Sequence, residues 1–187
     1  MASLIGLSGS LRQGSFNTAL LRAAVALVPE GSTLDARTLH GIPLYDADVE
    51  AAQGVPEAVT RLKDAIAAAD GLLLCTPEYN NSIPGVFKNG IDWLSRPPAD
   101  IKRVFAGRPV ALIGASPGGF GTILAQTAWL PVFRTLGVDL WSGGRLLVSR
   151  AGGVFDENGA LKDETVREQL RRFLEGFAAF AASRKDK

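Results

Sequence analysis

Apolar runs rich in Ile, Leu and Val alternate along the chain with segments whose apolar positions recur at helical spacing. The runs Ala2–Ser8, Thr33–Leu39, Gly71–Thr76, Val110–Ala115 and Val138–Val148 predict strands, with Ser142-Gly143-Gly144 as an interruption in the last. Several are hydrophobic almost throughout, the pattern of parallel strands covered on both faces. Thr18–Val28, Pro56–Ala69, Pro84–Ser95, Thr122–Leu136 and Asp163–Ser183 predict helices. In the last of these, Val166, Leu170, Phe173, Leu174, Phe177 and Ala181 form one apolar stripe, and the charges occupy the other side. It reads as a covering helix.

Repeated strand–helix units joined by right-handed crossovers give a doubly wound α/β sheet. Five strands suit the order 2-1-3-4-5, whose ligand crevice lies at the carboxyl ends of the first, third and fourth strands. A length of 187 residues with 47% hydrophobic residues suits one compact domain spanning 1–187. "SRPPADIKR" at 95–103 reads as a surface loop. "GIPLYDADVEAAQGVP" at 41–56 is long for a strand-to-helix connection, which marks it as a contributor to a site.

Charge narrows the function further. Twenty basic residues against nineteen acidic leave a formal charge of +1. That balance lacks the basic footprint expected for nucleic acid, and it is unlike the acidic surface of many electron carriers. Cys75 is the one cysteine and His40 the one histidine. An internal disulfide, a cysteine-rich zinc site and a multi-histidine metal site are thereby excluded. "MASLIGLSGS" has no basic stretch followed by an apolar one, and no segment approaches the roughly 18 apolar residues of a membrane span. A cytoplasmic protein without a membrane partner is expected.

The first apolar run leads into "GLSGSLRQGSFN", residues 6–17. Gly9 and Gly14 have the opening spacing of a Walker A loop, but Ser15 and Phe16 stand where Lys and Ser/Thr are needed. The GxGxxG pattern fails too, because Ser8 takes the place of its second glycine. What remains is a serine-rich loop before a helix N-terminus, where free N–H groups and the helix dipole favour an anion. Ser10, Ser15 and Asn17 can donate hydrogen bonds, and Arg12 can fork onto two phosphate oxygens. The competing reading is local: Asn17 caps the helix and the serines make a turn. The position directly after the first strand favours phosphate.

"GSLRQGSFN", "TPEYNNSIPGVFKNGIDWLSRP" and "GASPGGFGT" (114–122) together resemble the NADPH-dependent FMN reductase family, flavodoxin-like proteins that include quinone, azo-dye and chromate reductases. The resemblance covers about the first two-thirds of the chain, and PEYN is its most diagnostic part. It implies a flavodoxin-like sandwich with helices on both faces. It also implies FMN as cofactor, with NADPH or NADH as co-substrate. Carried over, Ser10, Arg12, Ser15, Phe16 and Asn17 would hold the phosphate end. Pro77, Glu78, Tyr79 and Asn80 would line the ring, and Ser116, Gly118 and Gly119 would close its other edge. Asn81 departs from the aromatic or larger residue of many relatives, and Gly90 from a common alanine. The residues also make sense on their own, since a flavin needs planar packing and hydrogen bonds to its pyrimidine edge. Glycines at 118, 119 and 121 let backbone approach a ligand; the rival reading makes PEYN a turn and Tyr79 a surface aromatic.

Other conspicuous residues read as structural. Cys75 ends "LLLC" with no visible partner cysteine or nearby base, so it reads as a buried thiol. His40 reads as a surface-loop histidine, and Glu78 as a backbone or capping residue, since reduced flavin can take protons from water. Trp93 lies off the Phe87–Ile91–Leu94 stripe, beside Asn89 and Arg96. Aromatics and Arg are enriched at interfaces, and the resemblance implies a homodimer or homotetramer built on this helix, so Trp93 is expected at a subunit contact.

The expected activity is transfer of hydride from NAD(P)H through FMN to a small-molecule acceptor such as a quinone, an azo compound or free flavin. No acid–base triad is required, because the cofactor carries the chemistry. The alternatives are a reductase that releases reduced FMN, a flavodoxin-type electron carrier, and an FMN-binding protein without NAD(P)H turnover.

Overall fold

The computed structural model describes residues 1–185. Four of the predicted strands form close to their expected limits: β1 (Ser3–Ser8), β2 (Thr33–Thr38), β3 (Gly71–Cys75) and β4 (Pro109–Ala115). The fifth is not one strand. It divides into β5 (Asp139–Leu140) and β6 (Leu146–Val148), both paired with β4. The cause lies in Trp141, whose indole packs edge-on against Phe173 and lies over three glycines. A Cβ on Gly143 or Gly176 would come within 2.6 or 2.7 Å of that ring. The break at Ser142-Gly143-Gly144 lets a bulky ring fold back onto the last helix.

All pairings are parallel, in the order β2-β1-β3-β4-β5, with β6 on the same edge of β4. Side chains alternate across the sheet as a period of two requires. Leu73, Cys75, Ala111 and Ile113 enter one core, whereas Leu72, Leu74, Val110 and Leu112 enter the other. The first core is covered by α1 (Phe16–Leu27) and α7 (Glu164–Ala182), the second by α3 (Glu57–Ala68), α4 (Gly85–Leu94) and α6 (Ile123–Leu136). In α7, Leu170, Phe173, Leu174, Phe177 and Ala181 are buried, as their stripe predicts. Each Leu or Phe side chain among them contributes about 1.5–3 kcal/mol on burial.

Two short helices escape the periodicity, α2 (Ala47–Gln53) and α5 (Ile101–Val104). α2 buries none of its residues, so no apolar face announces it; Asp46 caps it by accepting from Asp48 N and Val49 N. The segment leading into α2 is strapped onto α4. Asn89 accepts from Tyr45 N and donates to the Pro43 carbonyl, and Trp93 Nε1 donates to the same carbonyl at 2.9 Å. Tyr45 also meets Trp93 edge-to-face at 5.0 Å. Trp93 is therefore fully buried within the chain, and the expectation that it meets another subunit is corrected. Its position off the main stripe of α4 is explained by the 41–56 segment, which covers it from the side.

Candidate functional site

Three loops leave the carboxyl ends of β1, β3 and β4, side by side in the sheet. The first, residues 9–15, turns tightly because Gly9 lies directly over Phe87. A Cβ there would sit 2.1 Å from the phenyl ring, while Gly9 N donates to the Cys75 carbonyl at 3.0 Å. Ser15 caps α1, accepting from Thr18 N, and Ser8 and Thr18 share a hydroxyl hydrogen bond of 2.8 Å. Ser10 Oγ accepts from Arg12 N. Arg12 itself is exposed; its guanidinium donates to the Gly14 carbonyl at 2.6 Å and lies 5.8 Å from the Phe16 ring. Only one of its five donors is used there, so the fork remains able to meet an anion at the start of α1.

Asn17 does something different. Its Nδ2 donates to the Ala115 carbonyl at 2.8 Å, and its Oδ1 accepts from Ala115 N at 2.9 Å. The reason is in the sheet. Ile113, two residues earlier on β4, gives its carbonyl to Thr76 N. β3 ends at Cys75, so the next outward position on that edge lacks a strand partner, and the Asn17 amide supplies one. The Cys75 thiol donates to the Asn17 carbonyl at 3.1 Å. Full burial pushes that thiol well above its ordinary pKa, which keeps it protonated and unreactive.

The second loop follows β3. Pro77 is buried, and Tyr79 and Ser82 exchange backbone hydrogen bonds of 3.2 and 3.1 Å around Asn80 and Asn81. Both asparagines have positive φ, 50° and 61°. This is the two-residue hairpin geometry that asparagine tolerates better than larger side chains. Tyr79 is left half exposed at the loop's outer side. Glu78 reaches away to α6, where its Oε2 accepts from Leu124 N and Ala125 N at 2.9 and 3.0 Å.

The third loop, residues 116–122, needs that carboxylate. Thr122 precedes α6 in a left-handed conformation and makes no side-chain cap, so Glu78 satisfies two first-turn N–H groups that α6 cannot satisfy itself. The loop is also braced from the other side. Ser116 N donates to the Val148 carbonyl, Arg150 N to Gly118 and Ala151 N to Ser116, all between 2.9 and 3.0 Å. Gly114 and Gly121 have reasons inside the chain. A Cβ would stand 2.4 Å from the Thr76 carbonyl oxygen at the former, and 2.7 Å from Leu147 backbone at the latter. Gly118 and Gly119 have none: a Cβ on either would meet nothing within 4 Å, and the same holds for Gly14. On the two loops that flank the β3 loop, this bare backbone leaves room for a close-lying ligand.

Comparison with known proteins decides what that ligand belongs to. Residues 2–152 match the family model for NADPH-dependent FMN reductases. The chain belongs to this family. An NAD(P)H-dependent FMN reductase of Pseudomonas aeruginosa is 45% identical over 172 residues, covering 92% of this chain and 91% of the relative. A 2-hydroxy-1,4-benzoquinone reductase of a Burkholderia species is 38% identical over 177 residues, covering 95% and 94%. Among solved structures, the flavoenzyme NAD(P)H:(acceptor) oxidoreductase FerB from Paracoccus denitrificans superposes with a TM-score of 0.84 at 33% identity, over 98% of this chain and 99% of its own.

The loops of this FMN reductase family member suit a flavin mononucleotide. The capped start of α1 has Ser10, Arg12 and Ser15 beside it, and the loop after β4 offers open backbone at Gly118 and Gly119. The three loops singled out in the sequence do lie together at the carboxyl ends of β1, β3 and β4. The sequence does not foresee that two candidates spend their side chains on other loops, Asn17 on β4 and Glu78 on α6. Glu78 does serve as a cap, as expected, but for a helix 46 residues away. His40 is exposed; its Nε2 donates to the Leu11 carbonyl at 3.2 Å, and its Nδ1 lies 2.9 Å from the Thr38 hydroxyl.

Proposed function

We propose that the three loops hold FMN and that the enzyme passes hydride from NAD(P)H to a quinone-type small molecule. The observation that supports this best is the pairing of an anion-ready helix start with open glycine backbone on the loop after β4, in a chain that belongs to the FMN reductases. In this reading Ser10, Arg12 and Ser15 hold the phosphate by side chain, and Phe16 and Asn17 offer backbone N–H groups. Pro77, Tyr79 and Asn80 line the ring, and Glu78 contributes backbone while its carboxylate fixes α6. Ser116, Gly118 and Gly119 close the far edge. Bound FMN supplies hydride acceptance and delivery; the protein's part is to place the ring, leave one face open and hold donors toward it.

The relatives named for quinone reduction make quinones the favoured acceptor class. Donor and acceptor would use the same open face in turn, so double-reciprocal lines for NADPH at several quinone concentrations should run parallel. The enzyme would work in the cytoplasm, where its reduced nicotinamide is available. A homodimer or homotetramer is the expected assembly, and since Trp93 is buried, α6 is the better contact. Ile123, Leu124 and Leu130 lie exposed along it, with Phe120 exposed in the loop before it, an apolar patch of the kind that marks interaction sites.

The purified protein should be yellow and should bleach when NADPH is added without air. A colourless protein that takes up no FMN on incubation would remove this reading.

A further inference from the structure

β2 forms one edge of the sheet, and Asp35 and Arg37, on its face toward α3, stay exposed. The shortfall in cover leaves a cleft between β2 and α3 with a volume of about 300 Å³. Its lining is divided by chemistry. Ile42, Leu62 and Ala65 give it an apolar wall, while Arg37, Arg61 and His40 supply the nitrogen groups.

We infer that this cleft holds the adenosine 2′-phosphate of NADPH and makes NADPH the preferred donor, an inference that rests on the proposed function. Size supports one half of the dinucleotide, because the volume lies at the lower end for ligand pockets. The apolar wall suits the flat base, and the arginines suit the phosphate. Arg37 places Nε and Nη2 on one oxygen of Asp35, at 2.8 and 2.7 Å, and Arg61 places Nη1 on Glu57. Among the described residues, the remaining guanidinium donors of both arginines have no protein partner. Both ion pairs are largely exposed, so each contributes little and can yield to a stronger anion. A phosphate monoester is such an anion, and its oxygens match the arginine fork.

Position supports the same assignment. His40 donates from Nε2 to the carbonyl of Leu11, inside the loop proposed to hold the flavin phosphate. The cleft therefore abuts that loop, and one extended ligand can bridge the two.

The experiment uses the flavin-loaded enzyme and two mononucleotide probes in titration calorimetry. 2′,5′-ADP should bind about tenfold to hundredfold more tightly than 5′-AMP, and Arg37→Ala/Arg61→Ala should erase that difference. Arg61→Lys should restore part of it, since the charge remains and only the fork is lost. In steady state, the NADPH-to-NADH ratio of kcat/KM should fall by a similar factor in the double alanine variant. Equal binding of the two probes to the wild type, or an unchanged ratio in the double variant, would overturn the assignment. Failure of the underlying reading looks different: neither reduced nucleotide would bleach the protein, whatever the probes do.

Discussion

The loop after β1 and the loop after β4 reach the same crevice but are held there in opposite ways. The first is held largely from within, with Gly9 N on the Cys75 carbonyl and His40 on the Leu11 carbonyl as its outside ties. Ser15 caps its own helix, Ser8 bonds Thr18, and Arg12 folds onto Gly14, all within ten residues. The loop after β4 depends on others: Glu78 caps its helix from the β3 loop, and three backbone bonds tie it to the end of β6 and the residues that follow. Between them stands Asn17, on the first loop's helix but bonded to the end of β4. A self-contained loop can present side chains to a small charged group. A cross-braced loop can present bare backbone to a ring, because its shape does not rely on its own side chains.

Breaking the link between the two should have the largest effect. Asn17→Ala leaves the buried N–H and carbonyl of Ala115 without their observed partner, at about 1–3 kcal/mol for each group. Urea denaturation should show the midpoint falling accordingly, with or without flavin. An unchanged midpoint would mean that the Asn17 bridge contributes nothing to holding β4.

Arg12→Ala tests the first loop alone. A charge-assisted hydrogen bond contributes on the order of 1.5–3 kcal/mol, so FMN should bind about tenfold to hundredfold more weakly. Riboflavin, which lacks the phosphate, should bind wild type and variant alike in a fluorescence titration. Equal loss for both ligands would detach Arg12 from the phosphate.

Glu78→Ala tests the cross-bracing. Loss of a helix cap costs about 1 kcal/mol. Glu78→Gln keeps an accepting oxygen and should lose less. The thermal midpoint separates the two, and no loss in either variant would show that the carboxylate does not act as a cap.

The smallest intramolecular effect should come from Leu130→Glu. Leu130 is exposed, so stability should hardly change while the mass in solution moves from the proposed dimer or tetramer toward monomer. A retained oligomer would place the subunit contact elsewhere than α6.

This contrast also explains what could be read from the chain alone. β1, β3 and β4 are announced by unbroken apolar runs, and α1, α3, α4, α6 and α7 by helical spacing; both signals are local. The first loop is equally legible, since its cap and hydroxyls are near neighbours. Features that depend on distant partners are not. Trp93 reads as surplus to its helix until Pro43 and Tyr45 arrive from another segment. Asn17 reads as a phosphate donor because nothing near it in sequence points to Ala115. The break between β5 and β6 is signalled by Gly143 and Gly144, but its cause, Trp141 folding onto α7, needs Gly176 from the far end of the chain.

The cap that Glu78 provides has a consequence for motion. Leu124 and Ala125 lie on α6, yet the carboxylate that accepts their amide protons belongs to the loop after β3. If that loop swings outward to admit a bulky acceptor, both amides lose their shelter together, even while the helix body stays intact. Hydrogen exchange at these two positions is then a clock for an opening that takes place on another loop. The β3 and β4 loops are joined like the two sides of a hinged clasp, and neither can open without recording the event on the other.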